Sequence, residues 1–151
     1  MSKSKKIVLI VIAALAVLLL VGYRAYDRLF PYARPMEYPR DYPDVGEVVS
    51  VTISTPDGES TDVSNFASLI MQIQQVQPTR IVSVNDFPAA GFYYQVVAAT
   101  SEKEYDYFVY QEDGQVYLEI PYSGIYKGLH NTGNSSLMEI IPDLIESYPV
   151  K

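Results

Sequence analysis

The chain opens with a short basic segment followed by an unbroken apolar run. Residues 1–6 contain Lys3, Lys5 and Lys6, and every residue from 7 to 21 is apolar. A helix over residues 7–23 would span roughly 25 Å, less than a hydrocarbon core of about 30 Å, so the lysines must reach towards the headgroups to cover the difference. A cleaved signal peptide is the alternative, but no A-x-A-like pair of small residues follows the run. We predict a cytoplasmic tail at residues 1–6 and an uncleaved transmembrane signal anchor at residues 7–23.

Residues 24–46 have a different pattern, in which proline recurs every four residues from Pro31 to Pro43. Tyrosines lie between the prolines, and four arginines balance four acidic residues. Each proline lacks a backbone donor and pushes the preceding residue towards extended geometry, which disfavours both helix and central strand. The spacing does not fit a PxxP-type ligand for an aromatic groove. We therefore predict a Pro/Tyr/Arg-rich linker, a semi-rigid polyproline-like stalk.

Along residues 47–151, segments with the apolar spacing of a β-strand alternate with segments that have the apolar spacing of a helix. Alternation at Val49, Val51 and Ile53 indicates a half-buried strand, and the turn residues that follow allow the chain to pair back. Strands are predicted, in chain order, at residues 49–54, 59–63, 92–99, 104–111 and 115–122.

Two helices are predicted among these strands. Apolar residues of helical spacing cover residues 63–76, with Asp62 as N-cap and Pro78 as the stop. A last helix begins after Ser135 or Ser136. The order β-β-α-β-β-β-α with hairpin-length connections predicts an α+β fold for residues 47–151: an antiparallel sheet of about five strands with two helices on one face, preceded by one transmembrane helix.

Charge is unevenly distributed. The whole chain has a net charge of −7, but residues 47–151 hold fourteen Asp and Glu against four Lys and Arg, a net charge of −10. Such a field opposes nucleic acid and anionic lipid and favours a cationic peptide or protein as partner. Lysines directly before an apolar run are typical of an export signal. We therefore predict a single-pass membrane protein whose carboxy-terminal domain lies outside the cytoplasm. The chain has no Cys, which excludes disulfides and thiol catalysis.

Candidate chemistry is sparse, and we expect no catalytic, cofactor or metal site. His130 is the only imidazole and lies in a loop-like stretch. As a general base it would need an orienting carboxylate, with Glu119 or a neighbouring acid as candidate. Five acidic residues between positions 102 and 113 match no calcium-loop spacing, so we interpret them as solvating charges.

Tyr122, Tyr126 and Lys127 form the most distinctive group, clustered around Gly124. One interpretation is an aromatic and cationic ledge that grips a peptide or glycan partner. The other is that the tyrosines pack the loop over the end of the sheet while Lys127 covers them. The sequence favours packing and leaves both open.

Two segments carry a resemblance to a known family. The run EIPYSGIYK at residues 119–127 and the run PTRIVSVNDFP at residues 78–88 resemble the domain-of-unknown-function family 5301. The resemblance covers about residues 48–127 and implies a protein of low-GC Gram-positive bacteria, held outside the membrane behind an anchor or signal. It implies no catalytic residues, since none are assigned in the family.

Three function hypotheses follow. The first is a membrane-anchored extracytoplasmic domain that binds or senses a partner at the bacterial envelope without catalysis. The second is a small envelope hydrolase that uses His130 with a nearby carboxylate. The third is a structural subunit of a membrane complex.

Overall fold

The computed structural model describes residues 3–128 and 136–147, and the chain divides into two compact units at residues 1–32 and 33–151. The first unit is built on helix α1 (Lys3–Leu29). Its stretch Ser4–Leu29 is long and apolar enough to cross a membrane, by length and composition, and no other helix in the described part of the chain is. A helix of 26 residues reaches roughly 39 Å, so it extends past the apolar run at both ends, where it carries charged residues.

Helix α1 also extends into the segment predicted as linker. The prediction excluded helix after residue 23, but residues 24–29 are helical, and the Tyr26 and Phe30 rings approach to 5.2 Å at the end of the helix. The physical reason is that the first proline is Pro31, so nothing before residue 30 interrupts the backbone hydrogen bonds.

The second unit is built on one antiparallel sheet. Its strands are β1 (Val48–Ser54), β2 (Ser60–Val63), β3 (Gln77–Pro78), β4 (Tyr94–Thr100), β5 (Glu104–Glu112), β6 (Gln115–Ile120) and β7 (Gly124–Lys127). They lie in the order β2-β1-β4-β5-β6-β7-β3. The α+β class is confirmed, but the sheet has seven strands and not about five. The additional strands, β3 and β7, are too short to give a recognisable alternation, and β3 contains a proline.

Helices α2 (Ala67–Ile73) and α3 (Leu137–Ser147) pack on one face of this sheet, which we call the core face. Leu69, Ile70, Ile73 and Ile141 are fully buried there. The opposite face is called the outer face.

Helix α2 is shorter than predicted, and Asp62 is not its N-cap. Val63 pairs with Val51 in the sheet, so cross-strand pairing overrides the helical spacing at this end. Asp62 lies in β2, where its carboxylate accepts a hydrogen bond of 2.6 Å from the Thr52 hydroxyl. The helix begins after Phe66 without a side-chain cap.

A bulge also changes the predicted alternation of β1. The pairing register with β4 shifts between Val48 and Ser50. As a result Val48 is buried and Val49 is 67% exposed, although the strict alternation put Val49 on the same face as Val51. The bulge inserts one residue. The side chains of the residues before it therefore point to the opposite face of the sheet from the one that strict alternation predicts.

The segment predicted as the end of the linker packs on the domain. Residues 33–44, which we call the strap, belong to the second compact unit. Three tyrosine hydroxyls from the core face donate to strap carbonyls: Tyr126 to Arg34 at 2.9 Å, Tyr105 to Pro39 at 2.7 Å and Tyr107 to Asp41 at 2.8 Å. An extended proline-rich chain makes no internal backbone hydrogen bonds, so its carbonyls are available to these hydroxyls.

Asp41 holds the strap together from within. Its side chain is buried and accepts from the Arg34 guanidinium at 2.9 Å, from the Glu37 backbone N–H at 2.8 Å and from Arg40. Four of the eight charges that balance along the predicted linker, those of Arg34, Glu37, Arg40 and Asp41, are therefore partners in one network. The strap continues into a 3₁₀ helix, Val45–Glu47, that begins with a capping box.

The strap packs tightly against the sheet at Gly124. A Cβ atom added at Gly124 would lie 2.7 Å from the Ala33 Cβ. We expect Gly124→Ala to lower the free energy of unfolding by about 1–3 kcal/mol, because the strap must shift to admit the methyl group. Ala33→Gly removes the clashing methyl, so the cost of Gly124→Ala should nearly vanish in that background. Urea titrations of the four chains of this double-mutant cycle measure the coupling. Simple additivity of the two substitutions would contradict the contact.

Candidate functional site

The structure does not bring the three predicted ledge residues together. Tyr126 and Lys127 are neighbours in β7 and therefore face opposite sides of the sheet. Tyr126 is fully buried on the core face, where it pairs with Leu118. Tyr122 lies in the turn before β7 and is 65% exposed, and Lys127 is exposed on the outer face. Tyr126 therefore packs in the core of the domain, whereas Tyr122 does not.

The other sequence candidates give no cluster. His130 lies outside the described residues, so the hydrolase hypothesis stays a prediction. Among residues 3–128 and 136–147 no three His, Cys, Asp or Glu side chains are grouped so that they could hold a metal ion. Four of the five acidic residues between positions 102 and 113 lie at the ends of β5 or in the adjoining turns, and Asp106 lies within β5, where it accepts from the Gln95 amide.

The outer face of β5, β6 and β7 is covered by the chain between α2 and β4. We call residues 79–93 the covering segment. It follows β3 along β7, where Thr79 donates to the Ile125 carbonyl and the Ile81 carbonyl accepts from Ile125, both at 3.1 Å. Further on, Phe87 and Tyr93 place their rings 5.7 and 5.3 Å from that of Phe108. Phe108 on the outer face of β5 is thereby almost fully buried.

Glu119 is buried beneath this segment. Its alternation in β6 correctly points it to the outer face, but the side chain is only 4% exposed. The Ser83 hydroxyl of the covering segment donates to its carboxylate at 2.5 Å, and the carboxylate lies close enough to Tyr110 for its charge to raise the pKa of that residue. None of the ion pairs among the described residues includes Glu119. Within residues 3–128 and 136–147, the hydrogen bond to this buried carboxylate therefore comes from a neutral hydroxyl.

Tyr110 and Tyr117 form the wall beside this carboxylate. They are direct cross-strand partners in β5 and β6, with ring centroids 5.7 Å apart and planes inclined by 29°. Burial, followed by the charge of Glu119, raises the pKa of Tyr110. The two ring faces carry partial negative charge, the same sign as the carboxylate.

These groups line an open cleft of about 270 Å³. The covering segment forms one side, Tyr110 and Tyr117 form the other, Glu119 lies within and the exposed Glu112 lies at the rim. We call this the outer cleft. Every charged side chain that lines it is a carboxylate.

A hydrogen bond beside the outer cleft joins the two segments that carried the family resemblance. The Tyr122 hydroxyl donates to the Asp86 carboxylate at 2.6 Å, which raises the pKa of Tyr122. Asp86 and Ser83 come from residues 78–88, whereas Tyr122 and Glu119 come from residues 119–127. The distinctive residues of both segments therefore meet at one site.

A larger cavity of about 710 Å³ lies between the β1–β2 hairpin and α3. Its lining is mainly apolar, and the buried Thr55 hydroxyl there has no hydrogen-bond partner among the described residues. Its two carboxylates, Glu59 and Glu146, are exposed. Ligand sites combine a concave surface with a few converging polar groups, and only the outer cleft places a buried charge among them.

Comparison with known proteins gives a family and one solved structure. A family model, that of DUF5301 with the description "Domain of unknown function (DUF5300)", matches residues 37–127. The chain is also similar to an NMR structure of a protein from Ruminococcus gnavus, with 24% sequence identity, a TM-score of 0.49, and coverage of 60% of this chain and 92% of that one. No curated protein matches the chain.

Proposed function

Because this chain belongs to the DUF5301 family, whose description assigns no activity, we propose a function from its own chemistry: it is a membrane-anchored domain that binds a cationic polypeptide outside the cytoplasm. Family membership confirms the resemblance, and the matched region begins at residue 37, within the strap. The proposed activity is binding and not catalysis.

The anchor and the charge distribution support this proposal. Helix α1 supplies one segment with the length and apolarity of a membrane span. Residues 33–151 hold seventeen Asp and Glu against six Lys and Arg, a net charge of −11, whereas residues 1–32 carry an excess of positive charge. An acidic domain attracts cationic partners and is repelled by anionic headgroups.

The single observation that carries the proposal is the state of Glu119. A buried carboxylate is normally paired with a cation, because hydroxyl donors offset only part of the cost of removing the charge from water. Ser83 occupies one of its roughly four acceptor positions. An ammonium or guanidinium group entering the outer cleft would complete the pairing, with Tyr110 and Tyr117 adding cation–π attraction.

The proposal predicts a specific loss on Glu119→Gln. With the full chain in nanodiscs of zwitterionic lipid, we expect a ten-residue lysine peptide to bind at least about thirtyfold more weakly to this variant, because an interfacial charge pair that loses one partner costs about 2 kcal/mol or more. Isothermal titration calorimetry measures the affinity, and a ten-residue glutamate peptide should not bind.

Glu104→Gln is the matched control. It removes the same charge from an exposed position on β5. Phe108 is the cross-strand partner of Glu119, and Glu104 lies four residues before Phe108, which is roughly 13 Å along the strand. An exposed charge contributes little, so affinity should fall by less than about fivefold and only at low salt. An equal loss of affinity in both variants would show that the peptide is attracted by the overall negative charge of the domain. That result would contradict a binding site at Glu119.

A further inference from the structure

The covering segment presents apolar side chains to solvent right beside the outer cleft. Val82, Val84 and Phe87 are 54%, 69% and 58% exposed, and Ser83 between the two valines is buried against Glu119. Tyr122, exposed and hydrogen-bonded to Asp86, extends the same surface. We call Val82, Val84 and Phe87 the apolar rim. Single exposed apolar residues are ordinary, but a group of them beside a cleft marks an interaction surface.

From this arrangement we infer that the partner is an extended segment in which one lysine or arginine enters the outer cleft while apolar side chains next to it lie on the apolar rim. This inference rests on the proposed function and adds the pattern that the site recognises. The structure places a buried carboxylate and exposed apolar side chains beside one short stretch of chain.

The size of the outer cleft limits what can enter. Its 270 Å³ is slightly below the range of about 300–1,000 Å³ found for sites that enclose whole small molecules. A single long side chain with a terminal positive charge fits this volume and meets the carboxylate at its end. Its aliphatic stem would lie against the tyrosine rings and the apolar lining.

In an extended peptide, the residues that flank the basic one stay close to it. Successive residues rise about 3.3 Å, so residues within two positions of the basic one remain within about 7 Å of it. Two of the three residues of the apolar rim, Val82 and Val84, are directly adjacent to Ser83, which itself contacts Glu119. Apolar residues flanking the basic one are therefore at the distance at which they can cover Val82 and Val84.

A lipid surface is the competing occupant of the apolar rim. The net charge of −11 on residues 33–151 opposes anionic headgroups. The rim also adjoins a cleft whose charged lining groups are all carboxylates, which a cationic peptide satisfies and an uncharged acyl chain does not. Charge complementarity therefore favours the peptide.

Three heptapeptides test the inference with the full chain in zwitterionic nanodiscs. They are Gly-Ser-Leu-Lys-Leu-Ser-Gly, the same sequence with Ser in place of both Leu, and the first sequence with Gln in place of Lys, all acetylated and amidated. We expect the first to bind at least about tenfold more tightly than the second, from partial burial of two leucines, and the third not to bind detectably.

Substitutions on the protein separate the rim from the cleft. The double variant Val82→Ser/Val84→Ser should abolish the difference in affinity between the first two peptides. Val49→Ser, at a valine equally exposed but on β1, should preserve the difference. Equal thermal midpoints for the parent and both variants establish that the folded state is intact.

The outcomes distinguish the two proposals. Equal affinity of the first two peptides for the parent chain would overturn the inference and leave the proposed function standing. Failure of both lysine peptides to bind, or equal binding of the glutamine peptide, would overturn the proposed function. Displacement of the first peptide by added phosphatidylcholine vesicles would assign the apolar rim to lipid and would also overturn the inference.

Discussion

Replacing Tyr126 by Ala is expected to lower the free energy of unfolding by about 3–5 kcal/mol, since a fully buried aromatic side chain is removed from the core face. The loss also leaves the Arg34 carbonyl without the hydroxyl that donates to it at 2.9 Å. The free energy of unfolding of a domain of this size is about 5–15 kcal/mol, so this one substitution removes a large part of it. A urea titration of the full chain in zwitterionic micelles, followed by near-ultraviolet circular dichroism of its fourteen tyrosines, measures the change.

Tyr122→Ala is the matched substitution, four residues earlier in the same motif. Its side chain is mostly exposed and its structural contribution is one surface hydrogen bond to Asp86. We expect its unfolding midpoint to be unchanged within error. A similar midpoint shift for both variants would contradict the opposite placement of the two tyrosines. The comparison also matters for binding experiments, because lost capture by a Tyr126 variant reports unfolding and not a lost contact.

The orientation of the anchor gives the second large expected effect, because labelling is all or none. The chain has no Cys, so a single introduced cysteine reports its own side of the membrane. In bacterial protoplasts we expect Asp57→Cys, in the exposed turn between β1 and β2, to react with a membrane-impermeant maleimide, and Ser2→Cys to remain unlabelled.

Permeabilised protoplasts provide the control, since both cysteines should then react to the same extent. Labelling of Ser2→Cys with protection of Asp57→Cys would place the acidic domain in the cytoplasm. That result would reject the extracytoplasmic part of the proposed function and leave the chemistry of the outer cleft to be tested separately.

The regular part of the fold could be predicted from local patterns. Strands β4, β5 and β6 combine aromatic and β-branched residues with clear turn signals, and the structure places them within two residues of the predicted bounds. The strap could not be predicted in this way. Its composition correctly indicates an extended proline-rich chain, but its partners are hydroxyls 66 and 92 residues away in sequence. Nothing in the local pattern identifies a distant donor.

The outer cleft shows the same limit at the candidate site. Alternation predicted that Glu119 faces away from the core, and it does so. Alternation does not reveal that another segment then covers that face. The covering segment has no periodicity of its own, so its position follows from contacts such as Phe87 with Phe108 and Ser83 with Glu119. The sequence did contain one indication of this site, because the two segments that resemble the family, residues 78–88 and 119–127, meet there.

The two outermost strands of the sheet also bear on self-association. Edge-to-edge aggregation needs a long, flat strand with a row of free backbone donors and acceptors. Strand β2 has only four residues, with Asp62 exposed, and β3 has two, one of them a proline without an N–H. Beyond β3 the Thr79 carbonyl already accepts from the Ala33 N–H at 2.6 Å. The seven-stranded sheet therefore ends, on both sides, in strands that are poor templates for a further copy.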